Sequence, residues 1–342
     1  MGIVSKSPTR VDLAGGTLDI MPMTHILGPK CTVNFGVTLH AEVKVELSKN
    51  GNFSLVSLDQ KLATSGSWNQ VITSAKIPWL EKLLANFWAA DLPPLDIEVS
   101  AKSPAGAGLG GSSCLGIAMA SALVAARKEC GHPLLLDERQ LVQTVQDLET
   151  SLIRVPTGCQ DYWGGLRGGV NVISYPPGGA VVETLRSEQT KDIDELLMLC
   201  YSGVSRASGS NNWAIFKKAF EGDKYTLGVL EEISQLSVEL SEKIKKGLWT
   251  EVFRISEEEW NLRKRLWSDI ETPETMRIAE FAKKGGAHFS RICGAGGGGV
   301  MAIFADKKQH SLIQKLVEEV GGRILDASVS WSGTVVSGAL HG

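Results

Sequence analysis

The feature that most limits the possible folds is a glycine-rich stretch at residues 103–128, SPAGAGLGGSSCLGIAMASALVAARK. Four of the six residues from 106 to 111 are glycine, and an uncharged apolar run follows them. A glycine-rich turn before a helix attracts anions, because bare backbone N–H groups and the positive end of the helix dipole point into the turn. The stretch therefore predicts a phosphate-binding turn followed by a helix over residues 112–128.

Two common phosphate-binding turns can be compared with this stretch. A Walker A loop needs a lysine before Ser or Thr, and no lysine occurs between Lys102 and Lys128, which excludes it. The dinucleotide fingerprint G-x-G-x-x-G is present as Gly106, Gly108 and Gly111, so an oxidoreductase stays an alternative. Turn residues and a new helix start, rather than a second strand, follow the helix. The glycines could also serve only close helix packing.

The composition is that of a globular protein long enough for about two domains. The 342 residues are 43% hydrophobic, and 35 basic against 38 acidic residues give a net charge of −3, which argues against a nucleic-acid partner. The longest apolar run is too short to span a bilayer, and the first ten residues lack an apolar signal segment. Six cysteines without a C-x-x-C pair argue against disulfides and structural zinc. We expect a cytoplasmic protein without a membrane partner.

Hydrophobic periodicity predicts alternating strands and helices in the first half of the chain and long charged helices after about residue 192. The expected strands are 31–47, 93–101 and 168–175; the expected helices are 77–90, 112–128 and 137–152. Pro and Gly cluster at 176–192, where we place a domain boundary. Glu259 and Arg263 are spaced i,i+4 on a later helix, and we interpret their charges as part of a solvated face.

Three glycine-rich segments follow one another along the chain: SPTRVDLAGGTLDI at 7–20, Pro104–Ser113, and SRICGAGGGGVMAIFA at 290–305. In this order they resemble the three motifs of the GHMP kinases, and most closely the sugar 1-kinase branch acting on D-glycero-D-manno-heptose 7-phosphate, with galactokinase next. The resemblance implies a two-domain α+β fold. Residues 1–185 would form a half like domain 2 of ribosomal protein S5, and residues 186–342 a ferredoxin-like half.

The resemblance also implies that two glycine-rich loops bind ATP. In the family, the second motif wraps the ATP phosphates at the N-terminus of a helix, and the third motif closes the far side of the nucleotide site. The matching residues here are Pro104, Gly106, Ala107, Gly108, Leu109, Gly110, Gly111, Ser112 and Ser113, together with Gly294, Ala295, Gly296, Gly297 and Gly298.

A magnesium ion and a catalytic base are implied in the same way. Mg²⁺ prefers oxygen ligands and keeps several waters, so one hydroxyl and one carboxylate suffice. These would be Ser112 and Glu149, which lies twelve residues before the aspartate that matches the galactokinase base, Asp161. Asp161 would take the proton of the acceptor hydroxyl, while Arg10 would stabilise the transferred phosphoryl group and pair with Asp161.

The first motif is implied to contact the sugar through Gly16, Thr17 and Asp19. Leu18 stands where the heptose kinase branch has Thr, which removes a polar contact expected near the sugar. A heptose 7-phosphate would also need a basic clamp for its phosphate. Arg206 and Arg167 lie in glycine-containing loops and are the candidates.

We therefore expect an ATP- and Mg²⁺-dependent kinase that phosphorylates a sugar hydroxyl, at C1 of a heptose 7-phosphate or of a hexose such as galactose. The partner is a small-molecule sugar or sugar phosphate, and the oligomeric state is not predicted. Two other classes stay open: a dinucleotide-binding oxidoreductase, and a non-catalytic sugar-binding regulator with the same fold. Such a regulator is expected to lack the Asp161 and Glu149 pair, which this chain retains.

Overall fold

Two β-sheets with helices packed against them make up the part of the chain that the computed structural model describes, residues 2–28, 30–186, 190–204 and 209–340. The larger sheet runs in the order β12-β1-β2-β5-β3-β4, and β6 and β7 continue from the first half of the long strand β2. Its strand pairs are antiparallel except for the parallel pair β3 and β5. Its strands are β1 (Ile3–Ala14), β2 (Cys31–Leu47), β3 (Phe53–Ser57), β4 (Leu62–Gly66), β5 (Leu95–Ala101), β6 (Val170–Ser174), β7 (Val181–Leu185) and β12 (Val335–Ser337).

Six helices belong to the N-terminal half of the described chain, and α4 is the central one. Small residues on α4 permit close packing: a Cβ at Gly116 would lie 2.6 Å from Cζ2 of Trp79 and 2.7 Å from Cγ1 of Val145. The helix therefore packs closely against both of its neighbours, α3 and α5. The six are α1 (Met23–Ile26), α2 (Trp68–Ile72), α3 (Pro78–Phe87), α4 (Gly111–Glu129), α5 (Glu138–Ile153) and α6 (Gln160–Arg167).

The smaller sheet has the order β11-β8-β10-β9, and its pairs are antiparallel. Counted along the chain this is the order 4-1-3-2, with helices before the second and fourth strands, so the ferredoxin-like arrangement is confirmed. Its strands are β8 (Leu197–Tyr201), β9 (Phe289–Ile292), β10 (Val300–Phe304) and β11 (Arg323–Leu325). The helices of this half are α7 (Ile193–Leu196), α8 (Gly209–Phe220), α9 (Lys224–Lys245), α10 (Trp249–Leu266), α11 (Pro273–Lys284) and α12 (His310–Glu319), with 3-10 turns at Ser268–Ile270 and Lys307–Gln309.

The end of the chain returns to the larger sheet. Residues 335–337 pair with residues 4–6 of β1, and the backbone of Ser330 bonds to that of Gly36. The division at residues 185 and 186 assigned this segment to the C-terminal half, whereas the structure adds it to the N-terminal sheet. Alternation in a three-residue strand is too short to reveal such a pairing from sequence.

The predicted elements agree closely with the structure in the first half of the chain. The strand at 31–47 has the bounds of β2, and the helices expected at 112–128 and 137–152 differ from α4 and α5 by one residue at each end. The boundary region 176–192 contains β7, which still belongs to the larger sheet. None of the helices among the described residues is long and apolar enough to cross a membrane.

One large hydrophobic core joins the two halves. Val11 and Leu13 of β1 and Phe35 of β2 are buried in the same cluster as Leu199 of β8 and Phe304 of β10. A second cluster lies between the other part of the larger sheet and α3, α4 and α5. The strands β1 and β2 therefore pack against the C-terminal half as well as their own, and a site at the ends of these strands contacts both halves of the protein.

Candidate active site

A cleft with a volume of about 400 Å³ opens at the N-terminal end of α4. Its walls include the phosphate loop (residues 104–110), the first-motif loop (residues 14–20) and the start of α6, and α10 contributes Arg263. These segments lie at the ends of β1, β5 and the helices α4 and α6. Chain segments far apart in sequence thus meet at one opening.

The phosphate loop is held in place by backbone contacts from two directions. The backbone N–H of Arg10 donates to the carbonyl of Leu109 at 3.0 Å, and that of Val300 donates to the carbonyl of Ala107 at 2.8 Å. Gly108 has a φ of +75°, and a Cβ there would lie 2.3 Å from the carbonyl oxygen of Cys293. Glycine is required at this position because both the conformation and the close approach exclude a side chain.

The first turn of α4 faces the cleft without a side-chain cap. Gly110 occupies the N-cap position with a φ of +71° and carries no group that could accept from the N–H groups of the first turn. Those N–H groups have no partner within the helix, and the helix dipole adds positive potential there. Gly111, Ser112 and Ser113 line the cleft at this point, so the turn is suited to hold phosphate oxygens.

Arg10 and Asp161 form an ion pair beside this helix end. Nε and Nη2 of Arg10 lie 2.7 and 2.6 Å from Oδ1 of Asp161, and Nη1 donates to the carbonyl of Gly108 at 2.6 Å. Burial acts to lower the pKa of Arg10, but the carboxylates of Asp161 and Asp12 outweigh it and hold the pKa above its ordinary value. The Asp161 side chain keeps 25% of its surface exposed, so a ligand in the cleft can reach it.

Glu149 lies at the other side of the α4 terminus. Its Oε2 accepts hydrogen bonds from Oγ of Ser113 at 2.8 Å and from the hydroxyl of Tyr162 at 2.7 Å. Burial raises the pKa of Glu149, against the hydrogen bonds from Tyr162, Ser112 and Ser113, which act to lower it. One carboxylate and two serine hydroxyls are therefore gathered where α4 begins.

Asp19 is buried at the end of the first-motif loop. Its Oδ2 accepts from the backbone N–H of Gln160 at 3.0 Å, and an isolated bridge between Ile20 and Gly158 holds the two segments together. Burial raises the pKa of Asp19 to about 6, with the charge of Asp161 acting in the same direction. Two carboxylates thus face the cleft from α6 and from the first-motif loop.

A buried ion network supports the first-motif loop from the C-terminal half. Arg291 pairs with Oδ2 of Asp12 at 3.0 Å and with Oε2 of Glu259 at 3.1 Å, and it also donates to the carbonyl of Leu13. Glu259 accepts from Nε of Arg263 at 2.7 Å and from the backbone N–H of Gly15 at 3.1 Å. Burial acts to raise the pKa of Asp12, but the positive charges of Arg291, Arg10 and Arg263 outweigh it and hold that pKa below its ordinary value.

The ionisable groups of the described cleft lining are mostly acidic. Five carboxylates face two guanidinium groups, and they are Asp12, Asp19, Asp59, Glu149 and Asp161 against Arg10 and Arg263. A polyphosphate in such a cleft needs a cation besides the backbone N–H groups. Within the described residues no cluster of three or more His, Cys, Asp or Glu side chains could enclose a metal. The donor set of Glu149 with Ser112 and Ser113 fits a hard ion that keeps most of its waters.

Most of the sequence-predicted site residues come together in this cleft. They are Arg10, Gly16, Thr17, Asp19, Pro104, Gly106 to Ser113, Glu149, Asp161, Gly294 and Ala295. The next three glycines of the third motif point elsewhere: a Cβ at Gly296 would meet Ile270 and one at Gly298 would meet Val204, while the N–H of Gly297 donates to the carbonyl of Ile270. These three shape the loop that backs the cleft. Arg206 lies outside the described residues.

Two interpretations of the sugar side are corrected by the structure. Arg167 is at the C-terminal end of α6, two turns from Asp161, where it pairs with Glu138, so it does not line the cleft. Leu18 is completely buried in a cluster with Met23 of α1 and apolar residues of α8, α9 and α10. It anchors the first-motif loop rather than facing the sugar.

Sequence reasoning missed Asp12, Arg291 and Gln160, and it misjudged Glu259 and Arg263. The prediction of a solvated face is wrong for Glu259 and Arg263, which are buried against the first-motif loop. The one available signal was position: Asp12 is two residues from Arg10, and Gln160 directly precedes Asp161. Nothing in the local pattern marked Arg291.

Comparison with known proteins gives family matches in both halves. Residues 76–169 match the GHMP kinases N terminal domain, and residues 240–323 match the GHMP kinases C terminal model. The chain is 26% identical to an L-fucokinase/L-fucose-1-P guanylyltransferase of Bacteroides fragilis, covering 92% of this chain but only 36% of that protein. It is 24% identical to the D-glycero-alpha-D-manno-heptose 7-phosphate kinase of Campylobacter jejuni, covering 93% of this chain and 94% of that one.

Solved structures share the whole fold. A D-glycero-D-manno-heptose 1-phosphate kinase from Bacteroides thetaiotaomicron matches with a TM-score of 0.77 at 18% identity, covering 98% of this chain and 99% of that one. Galactokinase of Lactococcus lactis, solved with galactose, matches with a TM-score of 0.77 at 15% identity, covering 97% and 95%. With both family models matched and the fold shared along its length, the chain belongs to the GHMP kinases, a family of phosphotransferases.

Proposed function

We propose that this protein is an ATP- and Mg²⁺-dependent sugar kinase that phosphorylates the C1 hydroxyl of a heptose 7-phosphate, with a hexose such as galactose or L-fucose as the alternative acceptor. The observation that carries the proposal is the Arg10 and Asp161 ion pair, 2.6 Å long, at the uncapped N-terminus of α4. It combines a base, a fixed positive charge and a phosphate-binding turn in one cleft.

Asp161 is the group that takes the proton of the acceptor hydroxyl. A sugar hydroxyl has a pKa far above neutral, so a carboxylate that accepts its proton as the new bond forms lowers the barrier. Arg10 fixes the orientation of Asp161 through Nε and Nη2 and brings a permanent positive charge next to the phosphate loop. That charge counters the negative charge spread over the transferred group.

The glycine-rich loop and the first turn of α4 bind the phosphates of ATP through backbone N–H groups. Glu149, Ser112 and Ser113 would hold the metal ion, which supplies positive charge to the phosphate oxygens when bound. Tyr162 orients the Glu149 carboxylate by a hydrogen bond of 2.7 Å. Gly294 and Ala295 close this end of the cleft.

The choice of acceptor is based on the acceptors of the relatives and on the need for a phosphate clamp. Relatives at 24–26% identity include a heptose 7-phosphate kinase and a fucokinase, and both acceptors are sugars with a free anomeric hydroxyl. Arg206 remains our candidate for the clamp that binds the 7-phosphate, because Arg167 faces away from the cleft. Arg206→Ala should then erase most of the preference for a 7-phosphorylated over a free sugar.

Nucleotide binding and a sugar panel test the proposal together. ATP with Mg²⁺ should raise the melting temperature, and NAD should not, because only a bound ligand stabilises the folded state. D-glycero-D-manno-heptose 7-phosphate, galactose and L-fucose are then assayed for ATP consumption. Stabilisation by NAD would favour the oxidoreductase, and sugar binding without phosphorylation would favour the non-catalytic regulator.

A further inference from the structure

Gln160 places a buried side-chain oxygen, without a partner among the described residues, at the acceptor side of the cleft. Its backbone is engaged, since the N–H donates to Asp19 and the carbonyl accepts from Asn34. Its side-chain Oε1 is buried and accepts no hydrogen bond from the residues that the structure describes. The residue is 93% shielded from solvent and lines the cleft. A buried amide oxygen without a donor is costly, which indicates a ligand that supplies one.

Arg263 faces the same point from the C-terminal half. Its Nε donates to Glu259 at 2.7 Å and its Nη2 donates to the carbonyl of Gly16 at 2.6 Å, which fixes the plane of the guanidinium. Within the described residues its Nη1 makes no hydrogen bond, and the side chain lines the cleft. Arg263 therefore keeps donor capacity for a ligand while its position is held by the buried network.

Gly16 brings these two side chains to one place. A Cβ on Gly16 would lie 2.8 Å from Nη2 of Arg263 and 3.1 Å from Nε2 of Gln160, so a single methyl group would touch both. Asp19 is next to them through its bond to the Gln160 backbone. The corner of the cleft thus combines one carboxylate, one amide that both donates and accepts, and one cationic donor.

We infer that Gln160 and Arg263 bind a hydroxyl group of the acceptor sugar, with the hydroxyl donating to the Gln160 amide oxygen and accepting from the Arg263 guanidinium. The inference rests on the proposed sugar kinase function. A phosphate group fits this corner poorly, because its oxygens carry almost no protons at neutral pH and would leave the amide oxygen unpaired. Gln160 and Arg263 therefore recognise a hydroxyl of the carbohydrate part of the acceptor and not its phosphate.

Gln160→Met tests the inference because it keeps the shape of the side chain and removes its polar atoms. For the sugar that the panel selects, we expect KM and the calorimetric dissociation constant to rise about 10- to 100-fold, with the KM for ATP changed less than about twofold. The melting temperature without sugar should not fall, because the variant removes a buried oxygen that has no partner.

Gln146→Met is the matched control. Gln146 is also buried in the N-terminal half, but its Nε2 donates to the carbonyl of Thr157 at 2.8 Å. This variant should lower the melting temperature and leave the sugar affinity within about twofold. A merely structural role for Gln160 would reverse the pattern, with a loss of stability and no selective loss of sugar binding.

Monodeoxy derivatives of the selected sugar identify the hydroxyl. One derivative should bind about equally to the wild type and to Gln160→Met, because its missing hydroxyl and the missing amide belong to the same contact. Unchanged sugar affinity in Gln160→Met would overturn the inference. Sugar binding that depends on Gln160 without phosphorylation would contradict the kinase proposal alone, and no binding of any panel sugar would overturn both.

Discussion

Replacing Arg291 by Met should destabilise the protein strongly, because Arg291 is the central cation of the buried network. Its side chain is 0% exposed, and it lies 3.0 Å from Asp12 and 3.1 Å from Glu259. Removing one partner of a buried ion pair costs about 3–5 kcal/mol. Here each carboxylate retains another cation, Arg10 at 3.8 Å from Asp12 and Arg263 at 2.7 Å from Glu259. We therefore expect Arg291→Met to lower the free energy of unfolding by about 3 kcal/mol, the lower end of that range.

Urea unfolding followed by circular dichroism measures this loss. With an m-value of about 3 kcal/mol per molar urea, the midpoint of Arg291→Met should fall by about 1 M. Arg254→Met is the matched control, since Arg254 on α10 also pairs with three carboxylates at 2.6–3.3 Å but is 46% exposed. Water screens such pairs, so its midpoint should hardly move. Equal shifts in the two variants would refute the argument from burial.

Four further changes probe the site. Asp161→Asn should lower kcat by a factor of about 100 or more and leave ATP affinity nearly unchanged, as single-turnover kinetics and ATP titration will show. Glu149→Gln should raise the Mg²⁺ concentration needed for half-maximal activity, and an unchanged magnesium titration would contradict its metal role. The KM for the acceptor should rise as the pH falls through about 6, where Asp19 becomes neutral, and Asp19→Asn should abolish that pH dependence. The raised pKa also affects stability: the folded state binds this proton at pH 5 and the unfolded state does not, so the contribution of Asp19 makes the fold more stable at pH 5 than at pH 7. Gly110→Ala should lower kcat, because its Cβ would lie 2.9 Å from Cγ of Asp161, whereas Gly131→Ala, with a similar φ of +81° and nothing within 4 Å, should cost about 1 kcal/mol of stability and no activity.

The sequence predicted those parts of the site that depend on residues close together in the chain. The phosphate turn followed from four glycines before an apolar helix, and α4 begins within one residue of its expected start. Arg10 and Asp161 are 151 positions apart, and only the family resemblance brought them together before the structure did. Spacing relative to a known motif carries this kind of information, whereas composition and periodicity do not.

The buried network could not be predicted, and α10 shows why. Arg254 with Glu258 and Glu259 with Arg263 are both i,i+4 ion pairs on this one helix. The first pair is about half exposed and the second is buried. Their local patterns do not differ; the difference is that the second pair faces Gly15 and Gly16, which are nearly 250 residues earlier in the chain. Burial of a charge depends on such distant partners, so a helix-face rule cannot decide it.

The pairing of β12 with β1 has a consequence for the order of folding during synthesis. Residues 4–6 leave the ribosome before their partners at 335–337, which follow only after the entire ferredoxin-like half. Until then one edge of β1 offers unpaired backbone groups, the kind of edge on which strands of other chains can add. Closing such a distant contact is slow, because the intervening chain must be brought together first. The larger sheet is therefore completed only after the ferredoxin-like half has been made, although β1 is made before that half.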